Sequence, residues 1–358
     1  MNSLMKNDEF IFNSSKKIEK NFLDSINPIN SIKEKKTFFQ EHNKFIEYNP
    51  NFEYIKKIDY SKEKNNLIES EKIIGKKMIE KIFKTRICNL LKEIDLIEKI
   101  NTKKFCNSSI KLFGKPKNSE TRLAEELIQK KLKVLKKNIK PNQIKEKIQP
   151  LLNKTGFKAE LKQNMSAKAA VNLTKKKLFI NTNSNFSKSD VTRFKVHEIE
   201  THIYRYLNGL NQPFKTLSIG SGEEYLKTEE GLAIFNELKI TQTNSFQEKI
   251  IAARLYATKY ALKHDFFDTF DELNKFFEKE DAYVITQRVK RGIPYCDKGA
   301  FTKDYCYFSG LLKITNFVDK GGKIEDLYYG KISIEETKIV KKIKEINKPK
   351  YLPKHYTN

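Results

Sequence analysis

The chain is most constrained by one central stretch, which reads VTRFKVHEIETHIYRYLNGLNQPFKTLSIGSGEEYLKTEEGLAIFNEL. It contains two of the five histidines, His197 and His202, and Glu198 directly follows the first of them. Two acidic residues, Glu229 and Glu230, then open the apolar run Gly-Leu-Ala-Ile-Phe. A His-Glu pair with a second His close behind it on a predicted helix is typical of a zinc site. The fold must therefore either bring these side chains together or leave them as unrelated helix residues.

The spacing of the two histidines is unusual. In the common H-E-x-x-H motif the histidines lie about 40° apart around a helix. Here the pattern is H-E-x-x-x-H, which places His197 and His202 about 140° apart on an ideal α-helix. A one-residue π-bulge, an irregularity that collects at functional sites, would return both to one face. The alternative is that both are ordinary helix residues with satisfied hydrogen bonds.

The segments VHEIETHIYRYLNG, QPFKTLS and TEEGLAIFNE resemble the family named for its Q-E-G-L-A motif. This family comprises the flavohemoglobin expression-modulating QEGLA motif proteins and the tubulin tyrosine carboxypeptidase-like zinc metallopeptidases. Further similarity lies in residues 156–182, 291–292, 299–304 and 310–313, so the resemblance covers roughly residues 30 to 335. Two positions depart from the pattern: Glu229 replaces the Gln of the motif, and Glu200 stands where a small residue is expected.

The resemblance implies a ligand set. Carried over by position, His197, His202 and Glu230 would bind one Zn²⁺, and Glu198 would be the catalytic base. Such a site keeps an open position for a water molecule, whose pKa the ion lowers towards 7. Glu229 is a rival third ligand, because neighbouring side chains point about 100° apart on a helix. The acidic pair is equally expected at a helix N-terminus, where the macrodipole favours negative charge.

Similarity to a carboxypeptidase also implies a group that binds the terminal carboxylate of a substrate. Arg291 and Lys303 are the candidates, since an Arg can hold a carboxylate through two parallel hydrogen bonds. Tyr307 and Tyr204 are candidates for stabilising the tetrahedral oxyanion. The alternative for each of these residues is an ordinary surface ion pair or hydrogen bond.

The hydrophobic pattern predicts an α+β fold that is mostly helical, with a small antiparallel sheet preceding a zincin-like active-site helix. Apolar residues recur at helical spacing from Ser31 to Leu112 and again from Glu120 to Ile139. Between Gly156 and Asn181 they alternate with polar residues, which indicates two or three strands. An edge strand in this place could pair with an extended substrate; the alternative is a hairpin that covers the core.

We expect four regions. Residues 1–30 are polar and predict a flexible N-terminal tail; residues 31–116 form a helical region. Residues 117–335 form the catalytic domain, and residues 336–358 form a basic C-terminal tail. Whether the N-terminal helices fold as a separate domain is not predicted.

The formal net charge of +25 would attract an acidic partner, nucleic acid or an anionic membrane. The lysines are scattered and no nucleic-acid motif accompanies them, so base-composition drift in a chain rich in Lys, Asn and Ile also explains the charge. The resemblance implies a peptide or protein C-terminus as the partner, acidic ones included. The four cysteines form no C-x-x-C pair, and neither a signal peptide nor a run of 18 apolar residues is evident. These features predict a cytoplasmic protein without a membrane span.

The sequence thus predicts a zinc-dependent metallopeptidase of the carboxypeptidase type, with tyrosine as the removed residue only by resemblance. One alternative is a regulatory or scaffold protein that keeps the fold without catalysis. Another is a basic nucleic-acid-binding protein in which the histidine pair is incidental. The sequence does not predict the oligomeric state.

Overall fold

The computed structural model describes residues 3–131, 138–163, 165, 167–241 and 246–356. Helices dominate, and a small sheet accompanies them, which confirms the predicted α+β class. The helices of the described chain are α1 (Ser3–Ile26), α2 (Ser31–His42), α3 (Ser61–Ile73), α4 (Met78–Glu98), α5 (Phe105–Phe113), α6 (Asn118–Ile128), α7 (Pro141–Leu152), α8 (Lys188–Phe194), α9 (Tyr204–Leu210), α10 (Glu223–Thr241), α11 (Phe246–Ala261), α12 (Phe266–Asn274), α13 (Lys279–Lys290), α14 (Tyr305–Asp319) and α15 (Ile334–Val340). A π-helix, Lys195–Ile203, joins α8 to α9.

The sheet has three strands, β1 (Lys158–Lys162), β2 (Ala169–Asn172) and β3 (Lys177–Asn181). β3 lies in the centre; β2 pairs with it antiparallel, but β1 pairs with it parallel. The prediction of an antiparallel sheet is therefore wrong for the pair of β1 and β3. Alternation of apolar and polar residues indicates strands and their faces, but it carries no information on strand order. Because β1 lies on the other side of β3 from β2, the sheet is mixed.

Residues 1–30 differ from the predicted flexible tail. Helix α1 occupies most of this region, and its side chains Ile11 and Ile18 are completely buried. The carboxylate of Asp8 accepts hydrogen bonds from the backbone N–H groups of Lys215 and Thr216, each at 2.8 Å. The abundant Asn, Ser and Lys lower the mean hydropathy of residues 1–30. The apolar side chains that pack this helix against the core are therefore not evident from composition. The first two residues lie outside the described part of the chain.

The segment predicted as a basic tail, residues 336–358, also packs against the rest of the protein. Glu336 is buried and forms an ion pair with Arg86 of α4. The hydroxyl of Tyr356 donates a hydrogen bond to Asn236 of α10. Its many lysines point to solvent, whereas Glu336, a few uncharged side chains and backbone groups attach the segment to the core. Residues 357 and 358 lie outside the described part.

The helix predicted from Glu120 to Ile139 has different bounds. It is observed as α6, and residues 132–137 lie outside the described chain. Within the described residues, no helix combines the length and apolar composition needed to cross a membrane.

The π-helix lies between two hydrophobic clusters. Its residues Ile199 and Ile203 pack with α7 and with Leu178 of the sheet. The neighbouring helix α10 contributes Ile234 to the largest cluster, whose members come from elements between α1 and α15. Packing on both sides thus holds the π-helix, which carries the two histidines, against α10, which carries the two glutamates.

Candidate metal centre

His197 and His202 lie on one face because the helix that carries them is a π-helix. The ring centroids are 4.8 Å apart. The wider turn compensates for the five-residue spacing, which would separate the side chains by about 140° on an α-helix. The hydroxyl of Thr201 donates to the carbonyl of Val196, five residues earlier, at 2.9 Å. The π-turn that would return both histidines to one face is therefore observed, and it is not a one-residue bulge but extends over the whole segment Lys195–Ile203.

Glu230 of α10 completes a group of three metal-ligating side chains. Its Oε2 atom lies 3.6 Å from Nε2 of His197 and 3.7 Å from Nε2 of His202. The ligand atoms of the three residues all lie within 4.8 Å of one another. Zinc-ligand bonds of about 2.0–2.1 Å in a tetrahedral site imply ligand atoms about 3.3 Å apart, so the group would contract around a bound ion. The same Oε2 atom is buried and has no hydrogen-bond partner among the described residues. An orphaned carboxylate oxygen between two imidazoles fits a bound cation.

The other nitrogen of each imidazole already has a partner. Nδ1 of His197 lies 2.6 Å from Oε1 of Glu237, and Nδ1 of His202 lies 2.7 Å from Oε1 of Glu229. A carboxylate at Nδ1 keeps the proton there, which leaves the lone pair of Nε2 for a metal. Glu237 is buried seven residues after Glu230, two turns along the same face of α10. That spacing was the available sequence signal for its role.

Glu229 was the alternative third ligand, but in the structure its carboxylate is bound by other side chains. Its carboxylate is buried and hydrogen-bonded to Arg205 and Lys331 as well as to His202. Burial disfavours its charged form, but the two cations outweigh this and hold the pKa of Glu229 well below its usual range. Glu229 therefore orients His202 and does not belong to the three-residue group.

The electrostatics of the group also suit a cation. Burial opposes ionisation of Glu230, but the neighbouring imidazole of His197, 3.6 Å away, and the charge of His202 lower the pKa of Glu230 to about 2. Burial likewise opposes protonation of His197, yet Glu230 and Glu237 raise the pKa of His197 well above its ordinary value. A proton on the imidazole thus balances the carboxylates, and a divalent ion would supply the same positive charge.

Two glycines let the helix of Glu230 approach α14. A Cβ atom on Gly231 would lie 2.3 Å from the carbonyl group of Gly310, and one on Gly310 would lie 2.2 Å from the carbonyl oxygen of Lys227. The two helix backbones are therefore in direct contact. Since Gly231 follows Glu230, this contact fixes the position of the carboxylate.

A cavity of about 510 Å³ opens beside the metal-ligating group. His197 and Glu198 line one part of it, and Arg254, Arg288 and Arg291 line another. The segment before β2 and the start of that strand supply Met165, Ala167, Lys168 and Ala169. The cavity thus joins a candidate metal site, a candidate base and a cluster of cations.

The three arginines share one buried carboxylate, that of Asp304. Arg288 donates to it from Nη2 at 3.1 Å, whereas Nε of Arg254 is 4.0 Å away and Nη2 of Arg291 is 3.8 Å away. Nε of Arg254 and Nε of Arg291 are buried without a hydrogen-bond partner among the described residues. Burial and repulsion from Arg288 lower the pKa of each to about 10, so both remain charged at neutral pH. This excess of positive charge fits an anionic ligand.

The substrate-binding candidates from the sequence fall into two groups. Arg291 and Tyr307 line the cavity. Lys303 and Tyr204 are not among the described residues that line it; burial lowers the pKa of Lys303, and the ring of Tyr204 lies 5.6 Å from that of Tyr351.

Arg254 and Arg288 also line the cavity, but the sequence did not identify them as candidates for substrate binding. Arg254 interrupts the buried run Ile-Ile-Ala-Ala-Arg-Leu of α11, and a charge in such a run was the available signal.

A profile of the family described as "Microtubule-associated tyrosine carboxypeptidase" matches residues 36–358. A mouse protein named "Putative tyrosine carboxypeptidase MATCAP2" is 33% identical over 157 residues, which are 42% of this chain and 29% of that protein. The human protein of that name is 33% identical over 130 residues, 34% of this chain and 24% of the relative. The chain thus aligns with less than a third of these relatives. Because the profile covers most of its length, the chain belongs to the microtubule-associated tyrosine carboxypeptidase family.

Proposed function

We propose that the chain is a zinc-dependent carboxypeptidase that removes the terminal residue of a peptide or protein. The observation that best supports this is the buried, unpartnered oxygen of Glu230 beside the Nε2 atoms of His197 and His202. We assign these three residues as ligands of one Zn²⁺. Three protein ligands and one open position are the arrangement of a catalytic zinc.

The residues around the ion would divide the chemistry between them. A bound zinc supplies a Lewis acid that lowers the pKa of a water molecule and polarises the scissile carbonyl. We assign Glu198, which lines the cavity, as the base that takes the proton of the water and passes it to the leaving amine. Burial and the charge of Glu230 raise the pKa of Tyr307 well above its ordinary value. The Tyr307 hydroxyl therefore stays protonated and can donate a hydrogen bond to the developing oxyanion.

Arg254 and Arg291 are our candidates for binding the terminal carboxylate. Each has a buried nitrogen without a partner, and Asp304 is already engaged by Arg288. A carboxylate between the two guanidinium groups would receive charge-assisted hydrogen bonds and balance the excess charge. Lys303 remains a candidate at longer range, because its charge interacts with that of Glu230.

The rest of the substrate would lie along the sheet. β2 is an edge strand, and the residues just before it line the cavity, so an extended peptide can add to this edge. Lys35, Lys168 and Arg193 also line the cavity. Lys35 pairs with Glu280, and Lys168 and Arg193 share Asp190, so three cations face two carboxylates and favour an acidic residue before the terminal one. Tyrosine as the removed residue rests on the description of the family alone.

Zinc content is the first test. We expect about one zinc per wild-type chain, and loss of the metal from His197→Ala and from Glu230→Ala. Glu198→Gln should keep the metal and lose activity by several orders of magnitude, because it removes the base and leaves the ligands. Absence of zinc from the wild-type protein after zinc is added back would overturn the proposal.

Carboxypeptidase activity is tested separately with a peptide that ends in Glu-Glu-Tyr. The free peptide should lose its last residue, whereas the same peptide with an amidated end should not be cleaved. Arg291→Ala should raise the KM for the free peptide more than it lowers kcat. Cleavage of the amidated peptide at an equal rate would show that the enzyme does not recognise a terminal carboxylate.

A further inference from the structure

The π-helix that carries both histidines requires an explanation of its own. A π-turn is rarer than an α-turn and persists where specific contacts hold it. Thr201 lies in this helix and is completely buried, and its hydroxyl donates to the carbonyl of Val196 at 2.9 Å. That hydrogen bond spans five residues, the same interval as between the two histidines. It therefore adds a side-chain bond to the wide turn that places them together.

The Thr201 hydroxyl is itself held from outside the helix. Asn236 of α10 is completely buried and donates from Nδ2 to Oγ1 of Thr201 at 3.0 Å and to the hydroxyl of Tyr328 at 3.0 Å. The hydroxyl of Tyr356 donates to Oδ1 of Asn236 at 2.6 Å. The amide thus uses both of its N–H groups and its oxygen, which fixes its orientation. With Asn236 donating to it, Thr201 directs its single proton to Val196.

Hydrogen bonds attach the segment of Tyr356 to α9 and to Gln212, two residues after that helix. Oδ1 of Asn208 accepts from the backbone N–H groups of Lys350 and Tyr351, each at 2.9 Å. Gln212 accepts from the N–H of Asn347 and donates to its carbonyl, each at 2.9 Å. Residues 347–356 therefore contact α10 and also α9, which continues directly from the histidine-bearing π-helix.

We propose that the chain of hydrogen bonds Tyr356–Asn236–Thr201 holds the π-turn and thereby sets the distance between His197 and His202. The three residues are positioning residues, because they act on the metal site through the helix backbone. Asn236 lies directly before Glu237, the carboxylate that orients His197. Two consecutive residues of α10 thus hold the π-helix, through Thr201, and the imidazole ring of His197. The inference rests on the proposed metal site.

The test compares two substitutions at Thr201. Thr201→Val keeps the shape of the side chain and removes the hydroxyl, whereas Thr201→Ser keeps the hydroxyl. Changes around metal ligands typically weaken metal binding by about 10- to 100-fold. We expect a loss of that size for Thr201→Val and a zinc Kd within about threefold of wild type for Thr201→Ser, measured by competition with a chromophoric chelator. A crystal structure of Thr201→Val should show the segment relaxed towards an α-helix.

A second pair of variants covers the case in which Thr201→Val does not fold. Tyr356→Phe removes the hydroxyl that orients Asn236 and should weaken zinc binding severalfold, about 3- to 10-fold by the same reasoning. Tyr351→Phe is the matched control, since its hydroxyl makes no hydrogen bond to any described residue and it lies in the same segment. Equal zinc binding by both would contradict the inference.

The outcomes separate this inference from the proposed function. If the wild-type protein binds no zinc, the proposed function fails, and the crystal structure of Thr201→Val still decides whether the hydrogen-bond chain holds the π-turn. If the wild-type protein binds zinc and Thr201→Val binds it equally well with the π-turn intact, the metal site stands and the positioning role is overturned.

Discussion

At the scale of single residues, neighbouring carboxylates and cations hold the imidazole rings of the candidate site in place. His197 is oriented by Glu237, and His202 is oriented by Glu229, which in turn contacts Arg205 and Lys331. Among the described residues, the carboxylate oxygen of the site without a hydrogen-bond partner is Oε2 of Glu230. Buried charge of this kind is costly unless it is paired, so the orphaned oxygen is the residue-level evidence for a cation.

Replacing Glu237 by Ala should weaken zinc binding by about 10- to 100-fold, because His197 would lose the acceptor that fixes its tautomer and ring orientation. Chelator competition measures the effect. Glu224→Ala is the control on the same helix, since Glu224 forms an exposed ion pair with Lys313. A loss of similar size in both variants would mean that a general decrease of negative charge, and not orientation of His197, governs zinc affinity.

Replacing Asp304 by Asn should lower the free energy of unfolding at pH 7 by about 3–5 kcal/mol, because it leaves three buried arginines without their shared carboxylate. Burial opposes ionisation of Asp304, but Arg288 and its neighbours hold the pKa of Asp304 well below its usual range. Its contribution is therefore complete above the unfolded pKa of about 3.9 and is lost as pH falls towards the folded pKa.

Urea denaturation of wild type and Asp304→Asn between pH 7 and pH 2 measures this dependence. The difference in unfolding free energy should be constant above about pH 4 and should shrink below it. A difference that widens on acidification would show that the carboxylate is not the group responsible.

At the scale of elements, the close approach of α10 and α14 controls where Glu230 lies. Gly231→Ala would place a methyl group 2.3 Å from the backbone of Gly310, so the helices must separate. We expect the unfolding free energy to fall by about 1–3 kcal/mol, as for other overpacked contacts, and zinc binding to weaken because Glu230 is the preceding residue.

Ala233→Gly on the same helix is the control for Gly231→Ala. It removes a methyl group from a buried position and should cost about 1 kcal/mol in helix propensity. Its zinc affinity should be that of the wild type, since the contact between α10 and α14 is unchanged. Denaturation and chelator competition on both variants separate the two effects, and unchanged zinc binding by Gly231→Ala would refute the link between helix packing and the ligand.

Some of these elements could be predicted from the sequence and others could not. The π-helix could, because the five-residue spacing of the histidines cannot form a site on an α-helix. The choice between Glu229 and Glu230 could not, because it depends on Arg205 and Lys331, which come from other parts of the chain. The order of the strands and the docking of α1 likewise depend on tertiary contacts that local periodicity does not encode.

At the scale of the whole molecule, the question is whether the N-terminal helices form a unit of their own. The largest hydrophobic cluster includes residues of α1 to α6 and of α10 to α15, whereas α7, the sheet and the π-helix contribute to a separate cluster. Arg86 of α4 is almost completely buried, and it donates to both carboxylate oxygens of Glu336 and to the carbonyls of Ile219 and Lys331. The N-terminal helices are thus bound to the segment that precedes α10 and to the start of α15. We propose that all of them unfold together.

A single cooperative transition in urea is therefore expected for the wild-type protein, with the same midpoint by far-UV circular dichroism and by tyrosine fluorescence. Arg86→Met should lower the unfolding free energy by about 3–5 kcal/mol, because it strands the buried carboxylate of Glu336. The double variant Arg86→Met with Glu336→Leu should recover part of that loss, since it removes the stranded charge while two carbonyls still lack their donor. Both variants should keep one transition. Two separated transitions in the wild type, only one of them shifted by Arg86→Met, would instead identify the N-terminal helices as an independent domain.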